Sequence, residues 1–247
     1  MAANRDELLD RPAQGPSLWT TPSGRIVAPR DLAAGGTWLG LNPRGVFVAV
    51  TNVSCSDPDP QRRSRGLLVV EALAATSARA AADKIESLPM GAYNPFNLFV
   101  ADAESAFAFS YQDAVRPVPS PDGVFVVGNA PLDAPPPAKL ARLRERLAER
   151  MQAEGDELLD ELSDLCRSHE PGPRGPLDAL CVHTPAYGTR SSALLRLGET
   201  GLMDSRSVFR FADGAPCQSE YYDHTPLLRD LGALAPGRGR NPVRNVH

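Results

Sequence analysis

Cysteines and histidines are the side chains of this sequence that could bind a metal ion or act as nucleophiles. Four cysteines are present, and no two of them are spaced as Cys-x-x-Cys: Cys55, Cys166, Cys181 and Cys217. This scatter predicts free thiols in a reducing compartment and no structural zinc site. Cys181 and His183 would share one face of a predicted strand, where they could approach a soft metal or a haem iron. We favour a core cysteine beside a hydrogen-bonded histidine, so no metal and no cofactor are predicted.

Two other groupings of polar residues could do chemistry. Asp223 and His224, together with a distant serine, have the composition of a hydrolytic triad, but the sequence lacks the Gly-x-Ser-x-Gly elbow that would support one. Glycine-rich phosphate-binding loops are also lacking. Arg190, followed by two serines at the start of a predicted strand, is the polar residue for which a functional role is favoured over a structural one.

Charge and composition exclude several classes of protein. The 247 residues include 26 basic and 30 acidic side chains, a net charge of −4, so there is no large positive field for nucleic acid or an anionic membrane. No apolar run reaches the ~18 residues of a membrane span, and the polar amino terminus does not resemble a signal peptide. We therefore expect a cytoplasmic protein with one domain, residues 1–231, and a disordered tail, 232–247.

The elements that must position these residues follow from turn signals and periodicity. Residues 37–41 and 46–51 flank Asn42-Pro43-Arg44-Gly45 and predict a hairpin, and residues 97–101 and 106–111 predict a second one. Alanine and leucine predict helices over 66–88, and apolar stripes predict a helix pair within 138–167. Further strands are predicted at 124–128, 180–183, 192–197 and 207–211. Strands, helices and strands in this order predict an α+β fold with antiparallel sheets and helices on their outer faces.

Several ordered motifs carry a resemblance to a known family. They are Ala2-Ala3-Asn4-Arg5-Asp6-Glu7, 31–40, Ser64-Arg65-Gly66, Tyr93-Asn94-Pro95-Phe96-Asn97-Leu98, Asn129-Ala130-Pro131-Leu132-Asp133, and Tyr187-Gly188-Thr189-Arg190-Ser191-Ser192. Together they resemble the NRDE family, also called the transport and Golgi organisation protein 2 family. The resemblance implies an N-terminal nucleophile (Ntn) hydrolase-like fold, a four-layer α-β-β-α sandwich with mostly antiparallel sheets.

The resemblance also implies a set of site residues. Through a more distant similarity to cholylglycine hydrolases, the implied catalytic positions are Arg5, Asp6, Asn52, Asn129 and Arg190. Asparagine N–H groups can stabilise an oxyanion, and an Asp-Arg pair can orient a terminal amine and thiol. The implied ligand-binding positions are Asn4, Trp38, Tyr187 and Ser191. We expect the implied catalytic residues to converge on one cleft.

Each of these positions also has a structural interpretation. Arg5 could form an ion pair with Asp6 or Glu7, and the two asparagines could bond loop backbone. Gly35 and Gly36 are expected to meet backbone geometry at a strand entrance, and Trp38 could be a core residue.

Two functions remain open. Family members usually begin with Met-Cys and a strand before the Ala-Ala-Asn-Arg-Asp-Glu segment, whereas Ala2 directly follows Met1 here, so the nucleophile is missing from this sequence. The resemblance therefore implies a protein that handles a small ligand, haem or an acyl-coenzyme A or other lipid. The alternative is an Ntn-type amidohydrolase or acyltransferase acting on a small amide or thioester, if an upstream Cys exists.

Overall fold

The residues that the structure describes fold into two antiparallel sheets and five helices. A computed structural model describes residues 1–119, 123–149 and 155–235. In chain order the elements are β1 (Ala2–Leu8), β2 (Ala13–Thr21), β3 (Gly24–Asp31), β4 (Leu39–Leu41), β5 (Phe47–Asn52), α1 (Arg65–Ala72), α2 (Ala78–Glu86), β6 (Phe96–Ala101), β7 (Ala106–Tyr111), β8 (Val115–Val118), α3 (Ala138–Glu149), α4 (Gly155–Cys166), a 3₁₀ turn (Pro176–Asp178), β9 (Tyr187–Arg196), β10 (Val208–Ala212), β11 (Tyr222–Asp223) and α5 (Thr225–Gly232).

The strands form a seven-stranded sheet and a four-stranded sheet. The larger sheet has the order β2-β3-β4-β5-β6-β7-β8, and the smaller one has the order β1-β9-β10-β11. Every ladder between these strands is antiparallel. The smaller sheet therefore joins the first strand of the chain to strands near its end.

Alternation along the strands divides the apolar side chains between two cores. In β5, Val48 faces a core with α1 and α2, whereas Phe47 faces a second core. That second core lies between the sheets, because Phe47 belongs to the same cluster as Ala193 of β9 and Phe209 of β10. Leu228 and Leu231 of α5 also belong to it.

The fourth layer is α4, which covers the outer face of the smaller sheet. Arg196 of β9 pairs with Asp156 at 3.1 Å, and Arg210 of β10 pairs with Asp160 at 3.2 Å. The layers are thus α1 and α2, the larger sheet, the smaller sheet, and α4. The predicted α+β, four-layer α-β-β-α sandwich with antiparallel sheets is confirmed.

Both predicted hairpins are present, and a buried asparagine fixes the turn of the first. Asn42 Nδ2 donates to the carbonyls of Leu73 and Ala75, at 2.9 and 2.8 Å, beyond the end of α1. Its Oδ1 accepts from the N–H groups of Arg44 and Val46. Gly45 completes the turn with φ +80°, which favours glycine.

Two predicted strands are wrong. Residues 124–128 join no ladder of the described strands, and the Gly128 carbonyl accepts instead from the Thr51 and Asn97 side chains. Residues 180–183 form only an isolated bridge between His183 and Gly188. Side-chain hydrogen bonds replace the predicted ladder at 124–128, and a single bridge replaces it at 180–183. Apolar composition alone had predicted a strand in both segments.

The elements that were not predicted from the sequence include β2, β3, β8, β11 and α5. β2 is an edge strand with an irregularity between Gln14 and Ser17, where Gly15 and Pro16 break its alternation. Of the predicted tail, Gly232 ends α5, residues 233–235 continue as a turn, and 236–247 lie outside the described residues. The extent of the domain stays a prediction.

Candidate functional site

Arg5 of β1 points between the two sheets. It pairs with Ser191 of β9 and lies two residues after Ala3, which packs on the intersheet core. Its guanidinium carbon lies 4.5 Å from the centre of the Trp38 ring. The Arg5 side chain is 8% exposed, and its Nη1 is buried without a hydrogen-bond partner in the described structure. Burial lowers the pKa of Arg5, despite the opposing charges of Glu7 and Asp31.

A β-bulge places a second arginine beside it. Arg5 pairs with Ser191 and Asp6 with Thr189, so Arg190 is an extra residue in β9 without a counterpart in β1. Its positive charge contributes to the lowered pKa of Arg5. Arg190 Nε and Ser191 Oγ are both buried, and neither has a partner among the described atoms. Buried donors of Arg5, Arg190 and Ser191 therefore lack acceptors in the part of the chain that the structure describes.

The nearby carboxylates are engaged mainly by a different arginine. Arg11 Nη2 lies 2.6 Å from Asp31 Oδ2, and Arg11 Nε lies 3.7 Å from Glu7 Oε2. Glu7 is 3.8 Å from Arg5 Nη2. Burial raises the pKa of Asp31, but the hydrogen bonds and charge of Arg11 outweigh it and lower that pKa below its usual value. The ion pair of Arg5 with Glu7 is therefore weak, because their charged atoms are 3.8 Å apart, beyond hydrogen-bond distance.

A close backbone approach holds Trp38 in place. A Cβ on Gly36 would lie 2.3 Å from the carbonyl carbon of Gly66, and Thr37 N–H donates to the Gly66 carbonyl. Gly35 has φ +74°. Gly35 and Gly36 therefore have the backbone role that was expected of them. Their close approach to Gly66 brings the first turn of α1 next to the segment that carries Trp38.

The two asparagines implied by the resemblance contact each other. Asn129 Nδ2 donates to the Asn52 carbonyl at 2.9 Å, so this N–H is already used by backbone. A third asparagine, Asn97, is buried and binds the same segment through the carbonyls of Gly128 and Ala130. Asn97 was not predicted as a site residue, although it belongs to the Tyr93-Asn94-Pro95-Phe96-Asn97-Leu98 motif.

Trp38, on which Arg5 stacks, lies beside β5, the strand that ends at Asn52. The Trp38 carbonyl, just before β4, accepts from Val50 N–H, two residues before Asn52 at the end of β5. Convergence of all five implied catalytic residues on one ligand stays a prediction.

The side chains of Asn4 and Asp6 lie on the face of β1 opposite to that of Arg5. Asn4 Nδ2 donates to the carbonyls of Cys166 and Leu180, and Asp6 accepts a 2.6 Å hydrogen bond from the Thr189 hydroxyl. Burial raises the pKa of Asp6, although the Thr189 bond and Lys139 oppose this shift. Burial, together with the charges of Asp6 and Glu7, also raises the pKa of Tyr187 to about 12. The structure therefore groups Arg5, Arg190, Ser191 and Trp38, and places Asn4 and Asp6 on the other face.

The other candidate groupings are resolved as follows. Asp223 accepts from Thr225 N–H at the start of α5, and the ring of His224 lies against Phe209 and Phe211, which is a structural arrangement. Cys181 and His183 do lie together, and His169 and Cys217 join them. Two surface depressions lie elsewhere, one beside Asn42 and one between Asp160 and Tyr221.

Comparison with known proteins establishes the family. A family model described as Transport and Golgi organisation 2 matches residues 1–205. The Transport and Golgi organization protein 2 homolog of Homo sapiens is 30% identical over 229 residues, covering 81% of this chain and 82% of the relative. The homolog of Bos taurus is 29% identical over the same coverage. The chain belongs to the Transport and Golgi organisation 2 family, as the motifs predicted.

Two solved structures share the chain path more distantly. Penicillin V acylase from Agrobacterium tumefaciens covers 92% of this chain, and 83% of its own, at 14% identity and a TM-score of 0.45. The C2A mutant of conjugated bile acid hydrolase from Clostridium perfringens covers 90%, and 88% of its own, at 12% identity and a TM-score of 0.49. Neither similarity carries information about activity. Among the described residues, no helix is long and apolar enough to cross a membrane.

Proposed function

We propose that this protein binds a small anionic ligand between its two sheets, with Arg5 and Arg190 as the groups that contact the anion. The observation that carries this proposal is that Arg5 Nη1 and Arg190 Nε are buried and unpartnered in the described structure. A buried donor without an acceptor costs free energy that a bound carboxylate or phosphate would recover. Ser191 Oγ offers a third buried polar atom at the same place.

The chemistry of the site favours a ligand with a flat or apolar part beside its anionic group. Trp38 presents an aromatic surface next to Arg5, and the intersheet core borders both. Haem carries carboxylates on a flat ring, and an acyl-coenzyme A carries phosphates, an aromatic base and an apolar chain. These are the two ligand classes that we propose, which makes the protein a ligand carrier in a cytoplasmic setting.

Fluorescence of Trp38 provides a direct test. The chain has two tryptophans, so Trp19→Phe leaves Trp38 as the only one. In that background, haemin or a long-chain acyl-coenzyme A should quench or shift the Trp38 emission in a saturable way. Arg5→Ala and Arg190→Ala should each weaken binding at least about tenfold, because a hydrogen bond to a charged group contributes about 1.5–3 kcal/mol.

Arg79→Ala is the matched control. Arg79 also stacks on an aromatic ring, that of Phe107, at 4.6 Å, but its side chain is exposed on α2. It should leave the affinity unchanged. Saturable binding that is equally tight in Arg5→Ala and Arg190→Ala, or no binding of either ligand, would refute the proposal.

The same incubation distinguishes a carrier from an enzyme. Chromatography of the recovered acyl-coenzyme A should show an intact thioester if the protein is a carrier. Release of free coenzyme A, beyond that in a sample without protein, would instead support the amidohydrolase or acyltransferase alternative.

A further inference from the structure

Four side chains with metal-binding atoms meet at one end of the smaller sheet. Their ligand atoms all lie within 4.8 Å of one another: His169, Cys181, His183 and Cys217. They come from three separate segments. His169 follows α4, Cys181 and His183 precede β9, and Cys217 follows β10. Because folding, and not sequence proximity, brings them together, no spacing motif in the sequence reveals the set.

The separations fit a tetrahedral ion. Zn–S bonds of about 2.3 Å and Zn–N bonds of about 2.0–2.1 Å place tetrahedral ligands about 3.3–3.8 Å apart. The Cys181 and Cys217 sulfurs are 3.5 Å apart. His183 Nε2 lies 3.6 Å from the Cys181 sulfur and 3.2 Å from the Cys217 sulfur. Two of these separations lie within that range, and the third is about 0.1 Å below it, so three ligand atoms are already close to the spacing that a shared ion requires.

The surrounding backbone holds the ligands in this arrangement. His169 Nδ1 lies 3.1 Å from the Cys181 carbonyl, the type of contact that orients metal-binding histidines in proteins. Cys181 N–H donates to the Ser168 carbonyl, and Arg167 Nε donates to the Pro216 carbonyl. Each segment that carries a ligand is thus hydrogen-bonded to another one next to the cluster.

Other interpretations explain these contacts less well. A core cysteine fits Cys181, which is buried, but His169 and His183 are exposed and Cys217 is half-buried, so the group is not an apolar core. A Cys181–Cys217 disulfide would require the sulfurs to approach from 3.5 Å to about 2.05 Å and would leave both histidines unexplained.

We propose that His169, Cys181, His183 and Cys217 form a structural Zn²⁺ site. Two thiolates balance the charge of the ion, two neutral imidazoles complete the tetrahedron, and binding releases the two thiol protons. Four protein ligands leave no open position, so the ion is structural and not catalytic. It ties the segments after α4 and after β10 to the start of β9, the strand that carries Arg190. The expectation of no zinc site, based on the lack of Cys-x-x-Cys, considered only local spacing.

Metal content of the full chain tests the proposal. Protein purified without a histidine tag, under a phosphine reductant, should contain about one zinc per chain by elemental mass spectrometry. After removal of zinc, Co²⁺ alone should produce the intense visible bands of a tetrahedral thiolate complex. Cys217→Ser and His183→Ala should each lose the zinc and those bands.

Two further measurements keep the test decisive if a variant folds poorly. Cys55→Ser removes an exposed cysteine outside the cluster and should keep the full zinc content. For the unmodified protein, a strong chelator should lower the melting temperature, and added Zn²⁺ should restore it. Reduced, natively folded protein that binds neither Zn²⁺ nor Co²⁺ would overturn the proposal, as would a Cys217→Ser variant that retains one zinc. Neither outcome depends on the anion-binding proposal, which is tested by arginine variants.

Discussion

Two consecutive residues of opposite charge, Arg5 and Asp6, are both largely buried, yet they cannot neutralise each other. Successive side chains of a strand point to opposite faces. Arg5 consequently stacks on Trp38 between the sheets, while Asp6 accepts from Thr189 on the other face. Burial of each charged group therefore costs free energy that the other group does not offset.

The raised pKa of Asp6 has a direct consequence for stability. When the folded-state pKa lies above the unfolded value, the contribution to stability is greatest below the unfolded pKa and is lost as pH rises through the folded pKa. Above its folded-state pKa, which burial raises, Asp6 carries a charge whose burial reduces the stability of the fold. We predict that Asp6→Asn melts at the same or a higher temperature than the unmodified protein at pH 7. The difference should shrink as pH falls below about 4.

Calorimetry at several pH values checks this prediction. Asp10→Asn, at an exposed position after β1, is the control and should not alter the pH dependence. A clear loss of stability in Asp6→Asn at pH 7 would show that the hydrogen bond from Thr189 and the charge of Lys139 outweigh the cost of burying the carboxylate.

At this scale, residue types could be predicted but their partners could not. The motifs pointed to Arg5, Trp38, Arg190 and Ser191, and the structure groups them. The separation of Asp6 from Arg5 follows from which face of β1 each one occupies, and that requires the pairing with β9. Asn97 was missed because its role depends on a segment more than thirty residues away.

At the scale of elements, the backbone of Gly36, three residues before β4, closely approaches the backbone of Gly66 in α1. A methyl group at position 36 would meet backbone atoms of Gly66 at 2.3–2.6 Å, and backbone cannot rotate away as a side chain can. We predict that Gly36→Ala destabilises the protein by about 1–3 kcal/mol, the usual range for overpacking. It should also displace Trp38 and weaken ligand binding.

Urea unfolding and Trp38 fluorescence measure both effects. Gly15→Ala is the matched control, because a Cβ there would make only ordinary contact, 3.7 Å from the Phe211 ring. Equal midpoints for the two alanine variants would mean that α1 shifts away at little cost.

The elements that could be predicted are those whose signals are local. Asn42-Pro43-Arg44-Gly45 identifies its hairpin because the turn residues bond within the turn, and the α1 and α2 regions show uninterrupted helix-forming composition. β2 escapes detection because Gly15 and Pro16 disrupt its pattern. Residues 124–128 have a strand-like composition, but the side chains of Thr51 and Asn97 donate to the Gly128 carbonyl, which local sequence does not show.

At the scale of the whole molecule, each of the two cores contains one tryptophan. Trp19 packs on the core beneath α1 and α2, and Trp38 packs on the core between the sheets. Because β5 and β6 contribute side chains to both, the proposal of a single domain implies that neither core can unfold alone.

We therefore predict one cooperative transition. Trp19→Phe and Trp38→Phe each leave one reporter, and the two fluorescence midpoints in urea should each coincide with the far-ultraviolet circular dichroism midpoint of the same variant. A difference between fluorescence and dichroism within either variant would show that the layers unfold separately and that residues 1–231 do not form one cooperative unit.

The bulge in β9 has a consequence for how the length of this strand can vary. Without Arg190, Ser191 would still face Arg5 and Thr189 would still face Asp6, and the ladder between β1 and β9 would be regular. Deleting a residue away from the bulge would turn one part of the strand over and exchange buried for exposed side chains. The bulge is thus the place at which β9 can be shortened by one residue while a regular ladder is kept. This extra residue, which the ladder between β1 and β9 does not need, adds a half-buried arginine with a buried Nε beside Arg5.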